Sequence, residues 1–240
     1  MEEDFYKPWD RHEFVERLRN VGQGRYHDKH PFHRAMNAGH LAPNQIRCWV
    51  ANRYYYQRNI PLKDAAIISN CPLREVRRVW LHRITDHDGI QGNEGGIEAW
   101  LRLAEATGMS RADVLAERQV LPGVRFAVDA YLNLARTRPW PVAVASSLTE
   151  LFAPDLMAER LKAFERYYPW VPSWGMEYFR SRVVRARTDS DEGLELTLEY
   201  SATRALQEEA LAALLLKCDI LWSMLDAIAS FCGKAREAES

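Results

Sequence analysis

The feature that most narrows the fold is an apolar period of 3.6 residues that recurs through almost every segment, with β-branched residues sparse and no alternating strand ladder. A chain patterned this way buries one stripe per helix. It is predicted to be all-α, a compact single-domain helical bundle of about seven or more helices joined by short Pro/Gly turns. No fixed internal period is present, which excludes a solenoid.

The pattern is densest in chemistry between Trp49 and Gly89, where Arg53, Tyr56, Gln57, Lys63, Arg83 and His87 stand among large apolar residues. Pro43 suits a first helical turn, and Ile46, Trp49, Val50, Arg53, Tyr56 and Gln57 follow at three- and four-residue spacing, so Arg53 and Gln57 share a face. Pro61 removes a backbone donor and crowds the preceding turn, so an interruption or kink is predicted at Asn59-Ile60-Pro61. A second helix from near Pro72 carries the stripe Val76, Val79, Trp80 and Ile84 to His87, just before Gly89.

Composition removes several classes of function. Thirty-two Lys plus Arg against 33 Asp plus Glu give a net charge of -1, with no long block of either sign, so no electrostatic footprint for nucleic acid exists. No apolar run approaches the roughly 18 to 20 residues of a membrane span, and the acidic start MEEDF lacks the basic region of a secretory signal. A cytoplasmic protein without membrane association is expected. Cys48, Cys71, Cys218 and Cys232 lie far apart without CxxC spacing, and are expected to be reduced and structural.

Elsewhere, Asp10 with Glu13 forms a capping-box pattern for a first helix that Gly22 and Gly24 should end. His27, His30 and His33 follow within seven residues, but the glycines and Pro31 argue against one continuous helix, so these three are not expected to hold a metal. Glu-x-x-His pairs are absent, and neighbouring Asp86 and His87 diverge by about 100° on a helix, which disfavours a two-iron site. The Gly89–Gly96 loop is too irregular for a nucleotide loop. Further helices are predicted at 97–107, after Ser110, and at 124–136 with Tyr131 on the inner face. Around Pro139 and Pro141 the chain should enter a helix ending at Ala153-Pro154, with Glu150 in its last turn and so in need of a cationic partner. Asp155 should cap 156–168, and Ser173 the helix that sets Tyr178 beside Arg182. A last helix from about 191 to 230, broken at most once, sets Lys217 in a strongly apolar run; a lysine there usually reaches back to the surface, and a buried one needs an anion.

Arg53, Lys63, Arg160, Arg182 and Lys217 together imply a cationic, tyrosine-rich interior, with His27 and His87 as titratable groups. Clustered buried cations require an anionic partner, so the expected ligand is a polycarboxylate or phosphate and the expected chemistry is acid–base.

The strings WVANRYYYQ, IPLKDAAI, DHDG, GGIEAWLRL, ERQVLPGVRFAVDAYLN, SSLTELFAP, YPW, YFRSR and KCDILWSMLDA, in order across nearly the whole chain, resemble the pyrroloquinoline-quinone synthase family. The resemblance implies a heme-oxygenase-like fold without heme and a homodimer. It also implies a cofactorless oxidase, without metal, that closes a ring and oxidises a polycarboxylate quinone precursor with dioxygen as co-substrate, releasing hydrogen peroxide. By the same resemblance His87, Tyr178, Arg182 and His27 are catalytic, while Arg53, Tyr56, Gln57, Lys63, Tyr131, Glu150, Arg160 and Lys217 bind substrate. One departure stands out: where the family pattern has a histidine shortly before the arginine matching Arg160, this chain has Met157, which carries no proton. Residues 1–232 are expected to form the helical oxidase domain. The polar tail 233–240 is expected to be a frayed terminus or the start of a linker to a small peptide-binding protein of the same pathway, to which some relatives are fused.

Overall fold

The computed structural model describes residues 6–237, the side chains of 184–188 and 233–237 excepted. Among the described residues every regular element is helical, apart from one isolated bridge between Ile90 and Asn93. The helices are α1 (Arg11–Arg25), α2 (Pro31–Asn37), α3 (Pro43–Asn70), α4 (Arg74–Trp80), α5 (His82–Asp88), α6 (Gly95–Ala106), α7 (Arg111–Leu115), α8 (Pro122–Thr137), α9 (Trp140–Ala145), α10 (Ala153–Tyr167), α11 (Glu177–Tyr200) and α12 (Arg204–Glu237). Tight 3-10 segments at His27–Lys29, Ser146–Phe152 and Ser173–Met176 link them.

The long helix α3 is buried on nearly all sides, against α8, α5 and α6, while α12 packs on α8 and α1 and α11 packs on α10. Its apolar face meets an aromatic cluster in which Trp49 and Trp100 lie edge to face at 5.3 Å, and the Trp100 indole donates to the Val50 carbonyl at 3.0 Å. A second apolar cluster, around Ile67, Trp80, Ala135 and Val144, closes the far end of α3.

Several local expectations hold. Asp10 caps α1 by accepting from the Glu13 N–H at 2.9 Å; Val124, Val128, Tyr131 and Ala135 lie on the buried face of α8; and the single break allowed in the last helix falls near Ser201, although α11 runs from Glu177 through the start expected near Asp191 and has Met176, not Ser173, at its N-cap. Others are corrected. α3 runs unbroken through Pro61: the helix is enclosed by packing there, and the Asn59 amide bonds the Tyr55 carbonyl at 2.7 Å, adding a side-chain link on the turn before the proline. α1 passes through Gly22 and Gly24, and the reason for Gly22 is proximity, because a Cβ there would fall 1.9 Å from the Phe152 ring. Leu81 divides the helix expected from Pro72 into α4 and α5, and Val79 faces outward. Glu150 lies in a 3-10 segment rather than an α-helical last turn, and Asp155 falls in the first turn of α10 instead of capping it.

The cysteines are the largest correction. Cys48 of α3 and Cys232 of α12 form a disulfide with their Cα atoms 6.8 Å apart, leaving Cys71 and Cys218 free and buried. The partners are 184 residues apart, so only the packing of the long helices brings them together. The backbone of α12 continues to Glu237, so much of the tail expected at 233–240 is helical and residues 238–240 lie outside the description.

Candidate active site

α3, α5, α8, the Ser146–Phe152 segment, α10, α11 and α12 converge on one polar interior, and its charges divide into two halves. In the first, anions match cations. Lys63 donates to Asp64 and, at 3.0 Å, to the Ser147 hydroxyl, which lies 3.3 Å from the Tyr131 hydroxyl. Arg83 grips both oxygens of Glu150 and lies 3.5 Å from Asp64, while Arg182 pairs with Asp189 at 3.0 Å and stands 3.9 Å from Glu150. Burial alone would raise the Asp64 carboxyl, but Lys63 and Arg83 outweigh it and hold the group below its ordinary value. Glu150 thus has the cationic partner expected for it, although it lies in a 3-10 segment and not in the helical last turn that called for one.

The second half has cations alone. Arg53, Arg160 and Lys217 are buried, and among the described residues no carboxylate lies within ion-pair distance of any of them. Arg53 rests on the Tyr56 ring at 4.0 Å, Arg160 lies 5.0 Å from the centre of the Trp49 ring, and the Lys217 ammonium lies 2.7 Å from the Tyr56 hydroxyl and 3.1 Å from the centre of the Tyr131 ring. Burial, then neighbouring Lys63 and Arg53, pushes the Lys217 amine well below its ordinary value, and burial with Arg53 brings Arg160 down to about 10. His33 Nδ1 donates to the His27 carbonyl at 2.9 Å and its Nε2 accepts from Arg160 at 3.1 Å, which fixes it as a neutral ring; burial and these cations keep both His27 and His33 well below the usual imidazole range. His30, the third histidine, turns away to Asp226 at 3.0 Å.

Between the halves stand His87 and Tyr178, both in contact range of the space above Gly96. His87 Nδ1 donates to the Arg83 carbonyl at 3.0 Å, which leaves Nε2 as the unprotonated nitrogen; burial, then Arg182, lowers the ring to about 4. The Tyr178 hydroxyl donates to Gln57 Oε1 at 2.9 Å. Gln57 Nε2, His27 Nδ1 and Arg160 Nε are buried without a hydrogen-bond partner among the described residues, which leaves polar capacity for a ligand to meet.

All twelve residues singled out from the sequence are placed in this interior, although no hydrogen bond or ring contact among the described residues joins His27 directly to His87. Met157 is buried in the apolar core, one helical turn before Arg160 on α10. Sequence reasoning missed Asp64, Ser147, Asp189 and His33 as members of the site, and left Arg83 without a role. Asp189 follows Arg182 by seven residues, two turns along one helical face, and that spacing was the available signal.

The all-helical arrangement has the heme-oxygenase-like fold. A TenA homologue from Pseudomonas syringae pv. tomato superposes with a TM-score of 0.77 at 14% identity over 94% of each chain, and a domain of unknown function with a heme oxygenase-like fold from Shewanella denitrificans does so at 0.72 and 14% over 91% of this chain and 90% of that one. At such identity these two speak for the fold alone. The sequence profile of the TENA/THI-4/PQQC family matches residues 15–227, and the chain belongs to that family. It is 59% identical to a pyrroloquinoline-quinone synthase of Pseudomonas aeruginosa over 91% of this chain and 87% of that protein, and 58% identical to one of Ectopseudomonas mendocina over 90% and 86%.

Proposed function

We propose that this protein is an enzyme of pyrroloquinoline quinone biosynthesis, catalysing ring closure and oxidation of the polycarboxylate quinone precursor by dioxygen in the last step. The observation that carries the reading is the uncompensated half of the interior. Arg53, Arg160 and Lys217 are buried with no carboxylate of the described residues within ion-pair distance, and a ligand bearing several carboxylates supplies what they lack. The identity to proteins named as synthases of this quinone supports the same substrate class.

In this reading the neutral His87 takes a proton from the precursor through Nε2, its tautomer held by the Arg83 carbonyl. Tyr178 and Arg182 flank it on the oxygen side, and His27, with an unpartnered Nδ1, relays protons at the cationic end. Gln57, Tyr56, Tyr131 and Lys63 hold quinone and carboxylate oxygens, while Glu150 keeps Arg83 and Arg182 in place. Each two-electron oxidation passes two electrons and two protons to one dioxygen, giving hydrogen peroxide, with no metal or organic cofactor. The enzyme works as a cytoplasmic homodimer, and a peptide-binding protein of the same pathway is its partner near the C-terminus.

Met157 favours a second reading, in which the protein binds the precursor and completes only part of the oxidation, because a thioether cannot carry a proton. Anaerobic mixing with the precursor, followed by a pulse of dioxygen while absorbance and peroxide are recorded, separates the two. Finished quinone with peroxide supports complete oxidation; a reduced product that persists in air supports the second reading; and absence of binding overturns both.

A further inference from the structure

At the outer edge of this interior, His82 is half-exposed at the start of α5 and has an acceptor at each ring nitrogen. The Val79 carbonyl lies 2.6 Å from Nδ1, and Asp189 Oδ1 lies 3.1 Å from Nε2. A neutral imidazole carries a single N–H and satisfies one acceptor; the imidazolium satisfies both. The other oxygen of Asp189 is 3.0 Å from Arg182 Nη1, and the Asp189 main-chain carbonyl accepts from Arg83 at 3.3 Å. Asp189 is therefore the buried link between a histidine at the solvent edge and a guanidinium inside the site. Arg182 also has an alternative carboxylate, Glu150, at 3.9 Å.

We propose that His82, as an imidazolium, and Asp189 form a positioning pair that fixes the direction of the Arg182 guanidinium. Loss of the His82 proton removes the positive charge that faces Asp189 and leaves one N–H for two acceptors, which loosens Asp189 and turns Arg182 toward Glu150. The proposal assumes that Arg182 belongs to the site of the reaction described above.

The surrounding charges favour this state. From α11, Asp189 and Glu192 face the ring, the latter at 3.5 Å; α5 itself adds Arg83 and Asp86; α3 contributes Asp64 on the far side of Arg83. The hydrogen bond to Asp189 leads in raising His82 to about 9, so the ring is charged at neutral pH. One donor atom from each of His82, Asp86 and Asp189 also falls within 4.8 Å of the others, a spacing that suits a cation, but Asp189 is already engaged by Arg182 and Arg83 and a divalent ion would have to displace them.

The test has two arms on the full chain. In the first, protein labelled at histidine and arginine side chains is titrated by NMR. His82 should titrate near 9, with the Arg182 side-chain signal moving at the same midpoint; Asp189→Asn should return His82 to about the ordinary 6.5, and His82→Gln should abolish the pH response of Arg182. His82→Gln replaces a half-exposed side chain and carries this arm if D189N fails to fold. In the second arm, both variants should lower kcat roughly tenfold with KM for the precursor within about twofold, while His82→Lys, which keeps the charge, should hold turnover to higher pH. A wild-type His82 midpoint near about 6.5, or an Arg182 signal indifferent to H82Q, overturns the proposal. If the wild type does not turn over the precursor, the functional reading fails, and the NMR arm still decides whether the pair exists.

Discussion

Lys217 donates to the Tyr56 hydroxyl at 2.7 Å, and among the described residues it has no carboxylate within ion-pair distance. The folded protein must therefore either bury an unpaired ammonium or shed its proton. Both oppose folding, and an apolar side chain of similar length avoids both. Lys217→Met should raise stability by about 1–3 kcal/mol in thermal denaturation. It should also weaken binding of the quinone product at least about tenfold, because one carboxylate loses its cation. The sign with pH follows from the depressed amine: between its folded value and the ordinary 10.5, the unfolded chain binds a proton that the folded chain does not, so this group makes wild-type stability rise with pH there, and the variant should lack that contribution.

His87 makes the corresponding statement on the acid side. Its folded value of about 4 lies below the ordinary 6.5, so between the two the unfolded state binds the extra proton and stability falls as pH drops. The loss attributable to this ring is roughly 3 kcal/mol across that window. His87→Gln should flatten part of the pH dependence of the urea midpoint, with His27 and His33 retaining theirs. Because the base is the neutral ring, kcat/KM of the wild type should hold down to pH near 4 to 5, on the order of two units below an ordinary histidine limb. A limb at an ordinary histidine value would remove His87 from the role of base.

Tyr178→Phe tests the join between α11 and α3. The hydroxyl donates to Gln57 Oε1, and Gln57 Nε2 has no partner among the described residues, so the variant leaves both ends of the buried amide without a bond to them. Stability should drop by about 1–3 kcal/mol. Bound product should restore part of that loss if the free amide faces the ligand, an effect readable as a larger ligand-induced shift in Tm than in the wild type.

How much of this was legible in the sequence depends on whether a relation was local. The capping of α1 by Asp10, the buried face of α8 and the neighbours Tyr178 and Arg182 all follow from helical spacing within a few residues. The interruption expected at Pro61 is absent because packing around α3 overrides local propensity. Asp189 left only its two-turn spacing from Arg182 as a signal, while His33 was invisible as a site member because its partner Arg160 comes from another helix and it sits in a cluster that looked like failed metal ligands. The charge division, three cations without anions beside a balanced network, was beyond sequence: it requires knowing which carboxylates reach the interior.

The disulfide gives a prediction independent of function. Cys48 and Cys232 join α3 to α12, the helices that carry Arg53, Gln57 and Lys217. Thiol titration of the unfolded, unreduced protein should find Cys71 and Cys218 alone, and all four cysteines after reduction. Because the pair closes a loop of 184 residues, Cys232→Ser or reduction should lower stability by up to about 5 kcal/mol in the chain-entropy account. Four reactive thiols without reductant would show that the pair stays open in solution.

Met157 and Arg160 are three residues apart on α10, and both are buried. A histidine at 157 would therefore enter beside the arginine that orients His33, in the half of the interior that lacks anions. Buried next to cations, such a ring would be neutral, so it would add a proton acceptor and not a further charge. Met157→His should accelerate the oxygen-dependent phase, measured after a dioxygen pulse on the anaerobic complex, by roughly tenfold or more, at a loss of about 1–2 kcal/mol in stability for burying a polar ring. An unchanged oxygen phase would mean that His27, His87 and Tyr178 already carry every proton the reaction needs, and that the thioether does no more than fill the volume.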